Sequence, residues 1–199
     1  MSHKFTQAIE VTQAIAIQTH LPGVFAPPPR LIGLVGLKRS GKDTVCQLIG
    51  ELAPVTRLGF ADGIKEEVAD ALGVPVEFIE THKHELRGLL QHWGTECRRD
   101  LFDRDYWVKK LVAKIAHVRT PCAVITDVRF ANEAHVLAEM GARLIRVQRG
   151  NSGPDGHASE AWADSVDAAR YAPEVIVNDS DLDTLRLRVA QAFSVADLT

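Results

Sequence analysis

Residues 36 to 44 read Gly-Leu-Lys-Arg-Ser-Gly-Lys-Asp-Thr, a combination of residue types suited to holding phosphate. Gly36 and Gly41 frame four residues, and Lys42 follows at once. Glycines at this spacing let consecutive backbone N–H groups turn inward around an anion, and the lysine behind them reaches its outer oxygens. Residues 43 to 52 predict a helix whose N-terminal dipole end faces the same anion. Asp43 stands where a Ser or Thr hydroxyl commonly holds magnesium, with Thr44 one place later. A carboxylate can hold that hard cation directly or through water. The bland alternative is a glycine-rich turn with no ligand, and the apolar run before it and the helical pattern after it count against that.

Other charged residues fall where a ligand would meet them. Asp127 and Arg129 end a buried apolar run, and Arg149 ends another. Arg87 lies in a basic, amide-rich stretch that continues through Gln91, Gly94, Thr95, Arg98 and Arg99. Cys46, Cys97 and Cys122 are widely spaced with no C-x-x-C pair, which reads as buried thiols in a reducing cytosol and argues against a zinc or disulfide framework. His82, His84 and His92 lack metal-ligand spacing, so solvated or capping roles are expected.

The elements that must position these groups follow from periodicity. Strands are predicted at 31 to 36, 57 to 60, 123 to 126, 143 to 148 and 174 to 177. Helices are predicted at 43 to 52, from 61 to 72, over much of 76 to 102, and at 105 to 118, 132 to 140 and 158 to 164, with a C-terminal helix after 180. Trp107, Leu111 and Ile115 mark an inner face at i, i+4, i+8, as do Leu182, Leu185 and Val189 on the last helix. Strands alternating with helices imply an α/β fold with a parallel sheet of about five strands, helices on both faces, and ligands at the carboxyl edge.

Residues 1 to 30, with Pro22 and then Pro27 to Pro29, form an extension with a proline-rich linker. Three roles are open for it: docking on the domain, docking on a second subunit as in a homodimer, or a disordered tail. Residues 150 to 157 read as a mobile loop, Arg149 with 150 to 156 as a closing or adenine-side segment, and His157 and Glu160 as caps of the helix after it. The chain has 199 residues with 46% hydrophobic and 25% charged, which fits one domain with a substantial core. A net charge of -3 gives no overall pull toward nucleic acid or an anionic membrane. No apolar run approaches the roughly 20 residues needed to span a bilayer, and no secretory signal is evident at the start. A cytoplasmic protein is expected.

With these stretches in view, the chain resembles the phage-type deoxynucleoside monophosphate kinases of the P-loop kinase superfamily. The resemblance rests on 36 to 44, Ile64-Lys65, 87 to 96 (R-G-L-L-Q-H-W-G-T-E), Tyr106-Trp107-Val108, 127 to 133 (D-V-R-F-A-N-E) and 157 to 160 (H-A-S-E). Asp in the Ser/Thr slot is a trait of that family. The resemblance implies a three-layer nucleoside monophosphate kinase-like fold over 31 to 199, with a helical acceptor-binding insertion at about 61 to 118. It implies transfer of the ATP γ-phosphoryl group to a deoxynucleoside monophosphate, with Mg²⁺. Arg39, Gly41, Lys42, Asp43, Thr44 and Val45 would lie along ATP. Lys38, Ile64, Lys65, Arg87, Gly94, Thr95, Trp107, Asp127, Arg129 and Glu133 would serve the acceptor. Lys42, Arg87 and Arg129 would carry the catalysis, and Asp43 and Asp127 would face the metal.

Such a transfer needs no strong general base, because the acceptor oxygen is already anionic. It needs cations that bring two polyanions into line and offset the moving charge, which suits Lys38, Lys42, Arg87, Arg129 and Arg149. Several assignments stay open on the residues alone. Asp127 could serve the metal through water or the sugar 3′-hydroxyl, and Trp107 could stack on a base or belong to the core. Arg98, Arg99 and Arg104 are each candidates to reach the γ-phosphate, or surface residues. A P-loop kinase for another phosphorylated acceptor, of the dephospho-coenzyme A or phosphomevalonate type, is the related alternative. A nucleotide-binding switch is the distant one.

Overall fold

The computed structural model describes residues 27–150 and 162–199. The N-terminal arm up to residue 26 and the 151–161 segment, including His157, Glu160 and the start of the helix expected at 158, lie outside the described residues.

Five strands are present: β1 Arg30–Val35, β2 Val55–Leu58, β3 Cys122–Val128, β4 Arg143–Gln148 and β5 Glu174–Val177. They form one sheet in the order β2-β3-β1-β4-β5, and every pairing is parallel. β1 and β3 lie at its centre, and both are buried almost end to end, as the apolar runs predict for strands covered on two faces.

One face is covered by α1 (Lys42–Leu52) and α8 (Leu182–Ala192). Val45, Leu48 and Ile49 from α1 and Leu185 and Val189 from α8 pack there on Ile32, Leu34, Val124 and Ile145. The other face takes α5 (Tyr106–Ile115), α6 (Ala131–Glu139) and α7 (Val166–Tyr171), through Trp107, Leu111, Ile115, Leu137 and Ala168. The result is three layers, as expected. Each fully buried Leu, Ile or Val contributes roughly 1.5–3 kcal/mol, so both helical layers help hold the sheet between them.

Between β2 and β3 the chain makes a helical excursion: α2 (Phe60–Leu72), α3 (Val76–Thr81), α4 (Arg87–His92), a π-helix (Trp93–Asp100) and α5. It has its own small core, Val68, Ala69 and Ile79, with Ile64, Leu86, Leu90 and Trp93 packed on it. Gly73, at φ 66, ends α2 with its N–H bonded back to the Ala69 and Asp70 carbonyls, a conformation that glycine adopts without a Cβ penalty.

Several boundaries differ from those read along the sequence. β2 runs two residues earlier than expected, because the Phe60 and Ala61 N–H groups are taken by the Asp127 carboxylate and Phe60 opens a helix. β3 is longer at both ends than 123 to 126. α7 was not anticipated. Leu182 is 51% exposed and does not face inward, because it opens α8 ahead of the turn that reaches the sheet. Cys46 and Cys122 are buried, but Cys97 is only partly so.

Candidate active site

The glycine-framed loop leaves β1 and enters α1. Gly36 has φ 155 and Gly41 φ 99, and Arg39 is the single non-glycine residue with positive φ among those described, at 64. Alternating hands of this kind curl the backbone into a concave nest of N–H groups. Neighbouring strands fix the curl. A Cβ on Gly36 would lie 2.5 Å from the Val147 carbonyl oxygen at the end of β4, and one on Gly41 would lie 2.1 Å from Asn178 Nδ2. Asn178, just past β5, donates to the Ser40 carbonyl at 2.9 Å. Lys42 is buried and its ammonium donates to the Gly36 and Leu37 carbonyls, each at 2.7 Å.

The tip of β3 lies alongside. Val35 is in register with Val128, so Arg129 follows directly beside the entrance to the loop, and its side chain is partly buried. Asp127 sits next to it, with Oδ1 accepting from Phe60 N at 2.8 Å and Oδ2 from Ala61 N at 2.9 Å. It therefore caps the first turn of α2, where a carboxylate complements the exposed N–H groups. Glu133 is 1% exposed. One of its oxygens accepts from Arg129 N at 2.8 Å and Phe130 N at 3.1 Å, and the other pairs with Arg99. Burial pushes this carboxyl up, opposed by Arg99 and the Arg129 N–H. Glu133 thus shapes the Asp127–Arg129 turn from behind.

On the side of β2, Asp43 has a 78% exposed side chain, 3.6 Å from Arg57. Arg57 also pairs with Asp62 at 3.0 Å. Burial pulls the Arg57 guanidinium down, but Asp62, Asp43 and Asp127 outweigh it and hold it above its usual value. Asp62 in turn binds Lys65 at 3.1 Å, and Lys65 also pairs with Glu80. A hollow of about 480 Å³ opens here, lined in part by Asp43, Gln47, Arg57, Lys65, Glu80 and Lys83. Cys46 lies on its wall; burial pushes its thiol to about 11, which leaves no thiolate for nucleophilic chemistry at neutral pH.

The insertion brings Ile64, Gly94 and Trp107 into one stack. A Cβ on Gly94 would lie 2.6 Å from Ile64 Cδ1, and Trp107 Nε1 donates to the Gly94 carbonyl at 2.8 Å. Trp107 is 1% exposed, so of its two expected roles the structure gives the core one: it supports Gly94 and Thr95 from beneath. Arg87 opens α4, partly buried, and Lys38 is partly buried in the loop itself. Arg98 and Arg99 are each paired with a carboxylate. Arg98 donates to Glu67 at 2.7 Å and lies over the Trp93 and Tyr106 rings. Arg99, 8% exposed at its side chain, lies over the Phe130 ring at 4.0 Å. Arg149 follows the exposed end of β4.

Some site residues were not picked out along the sequence. Asn178 reads there as a turn residue, although its place after the last strand puts it on the ligand edge. Glu67 reads as one charge on an amphipathic helix. Here it gathers Trp93 Nε1 at 3.0 Å, Arg98, the Tyr106 hydroxyl and Lys110, and ties α2 to the π-helix and α5. π-helices are rare and often accompany functional sites. Among the described residues no cluster of three or more His, Cys, Asp or Glu is arranged to hold a metal. No helix among them is long and apolar enough to cross a membrane.

Comparison with known proteins identifies the relatives of this site. The family model described as deoxynucleotide monophosphate kinase matches residues 74–189, more than half of the chain. A putative deoxynucleotide monophosphate kinase of Acanthamoeba polyphaga mimivirus is 29% identical over 180 residues, covering 77% of this chain and 90% of that protein. The uncharacterized protein ORF77 of Ictalurid herpesvirus 1 (strain Auburn) is 30% identical over 174 residues, covering 80% of this chain and 68% of that one. The deoxynucleotide monophosphate kinase of Escherichia phage RB69 is 32% identical over 108 residues, covering 52% and 43%. A family of this kind comprises phosphotransferases and implies ATP as the donor. A phosphate nest, a basic strand tip beside it and a helical excursion over the same edge are the parts such a reaction requires, and with these matches the chain belongs to the deoxynucleotide monophosphate kinase family.

Proposed function

We propose that the chain transfers the ATP γ-phosphoryl group to the 5′-phosphate of a deoxynucleoside monophosphate, giving the diphosphate and ADP, at the strand tips around Lys42. The observation that carries this reading is that the glycine-framed loop, Arg129 and Asn178 follow the carboxyl ends of β1, β3 and β5, parallel strands of one sheet. An acceptor phosphate oxygen forms a bond to the γ-phosphorus, the bond to the β,γ-bridging oxygen breaks, and ADP leaves with that electron pair. Arg39, Gly41, Lys42, Asp43, Thr44 and Val45 hold the donor, with Lys42 drawn from the loop carbonyls to the outer phosphate oxygens. Arg129 offsets charge on the transferring group, and Arg87 and Lys38 align the acceptor phosphate.

The excursion at about 61 to 118 forms the acceptor side. Lys65 contacts the acceptor directly, as do Ile64, Gly94 and Thr95, while Trp107 and Glu133 position those contacts from the core. A magnesium ion fits the residues present. Asp43 is an exposed carboxylate at the first turn of the loop helix, and each Asp127 oxygen accepts one backbone N–H, leaving lone pairs for a metal-bound water. When bound, the ion would offset charge on the donor phosphates.

ADP release measured with each of the four deoxynucleoside monophosphates, and with dephospho-coenzyme A and phosphomevalonate, tests the reading. Release that depends on a deoxynucleotide is expected. Turnover confined to the non-nucleotide acceptors, or tight ATP binding with no acceptor-dependent release, overturns it.

A further inference from the structure

Lys65 is covered by two carboxylates. Its side chain is 7% exposed, and its ammonium donates to Asp62 Oδ1 at 3.1 Å and to Glu80 Oε1. Burial pulls the ammonium down, but these partners outweigh it and hold it above its usual value. The two carboxylates are held differently. Asp62 lies on the same helix as Lys65, and its second oxygen takes Arg57 at 3.0 Å, so moving it breaks a second ion pair. Glu80 comes from the six-residue α3 and is 46% exposed, and its second oxygen lies 3.7 Å from Lys83, itself largely exposed. Pairs of that last kind contribute little. Glu80 and Lys83 also form one wall of the hollow whose other walls carry Asp43 and Arg57.

One ammonium therefore faces two negative charges already. A nucleotide phosphate arriving there adds up to two more, and at these separations like charges repel strongly. One carboxylate has to withdraw, and Glu80 has the weaker second tie and solvent to move into.

Resting on the assignment of Lys65 to the acceptor, we propose that Glu80 is a positioning residue of the acceptor pocket: it closes over Lys65 and yields the ammonium to an arriving phosphate, with which it competes.

Glu80→Gln keeps the shape and removes the charge, and Glu80→Asp keeps the charge but draws it back from Lys65 by about one bond length. Calorimetric titration of each variant with a deoxynucleoside monophosphate, inorganic phosphate, the corresponding nucleoside and ATP reads the effect. In Glu80→Gln the monophosphate and inorganic phosphate bind about fivefold tighter, with a smaller gain in Glu80→Asp, and ATP affinity stays within about twofold in both. Unchanged or weaker monophosphate binding in variants that melt as the parent does overturns the proposal. Lys65→Met separates the two layers. Unaltered monophosphate affinity in that variant removes the acceptor assignment itself, whereas its loss there, with no gain in Glu80→Gln, removes only the role given to Glu80.

Discussion

Replacing Glu67 with Gln tests the joint between the π-helix and the rest of the insertion. Burial alone would push the Glu67 carboxyl up, but hydrogen bonds from Lys110, Tyr106, Trp93 and Arg98 pull it from 4.5 to about 2. A displacement of that size corresponds to roughly 3 kcal/mol of stability at pH 7. The side chain is 13% exposed, so solvent screens little of it. Because the folded-state value is lowered, the contribution is fully present above the unfolded value near 4.5 and is lost as pH falls toward 2. Urea denaturation of the parent and of Glu67→Gln at pH 7, 5, 4 and 3 measures it. The gap should be roughly 3 kcal/mol at pH 7, nearly as large at pH 5, and less than half that by pH 3. Other lowered carboxylates, such as Glu80 and Glu174, titrate in both proteins and cancel in the difference. At pH 7 the variant should also show a raised acceptor KM with ATP KM little changed, because the π-helix carrying Thr95 loses its tie to α2. A gap that stays constant from pH 7 to pH 3 refutes the reasoning, since packing and not charge would then hold the joint.

Lys42→Met should lower kcat by about two to three orders of magnitude through lost transition-state charge stabilisation, with the circular dichroism spectrum unchanged. Gly41→Ala places a methyl group 2.1 Å from Asn178 Nδ2 at φ 99. It should cost at least about 2 kcal/mol in chemical denaturation and abolish ATP binding by calorimetry. Arg87→Ala should raise the acceptor KM roughly tenfold while kcat falls less, and steady-state kinetics with varied acceptor would show an unchanged KM if Arg87 faced elsewhere.

What the sequence made legible was mostly local. The loop at 36 to 44 is readable because its glycines, lysine and following helix are neighbours in the chain. The central strands are readable because burial on two faces leaves them apolar throughout. Contacts between distant residues carry no such signature. Asn178 could not be paired with Ser40, nor Glu67 with Arg98, because a turn residue and a helix-surface carboxylate look alike whether or not a partner awaits them. Arg99 misled for the same reason: alone it is a surface cation, and only Glu133, from beyond β3, makes it a buried one. Trp107 was split between core and base stacking, and the Gly94 carbonyl beside its indole decides for the core. The boundary of β2 slipped because Asp127, 67 residues beyond Phe60, ends the strand.

The tie between Asn178 and Ser40 spans 138 positions of the chain. During synthesis, the chain through the end of β5 must therefore emerge before the loop at 36 to 44 acquires its brace. A growing polypeptide, or one nicked ahead of Asn178, would have the whole loop and still lack that brace, so the loop's rigidity arrives late and together with completion of the sheet.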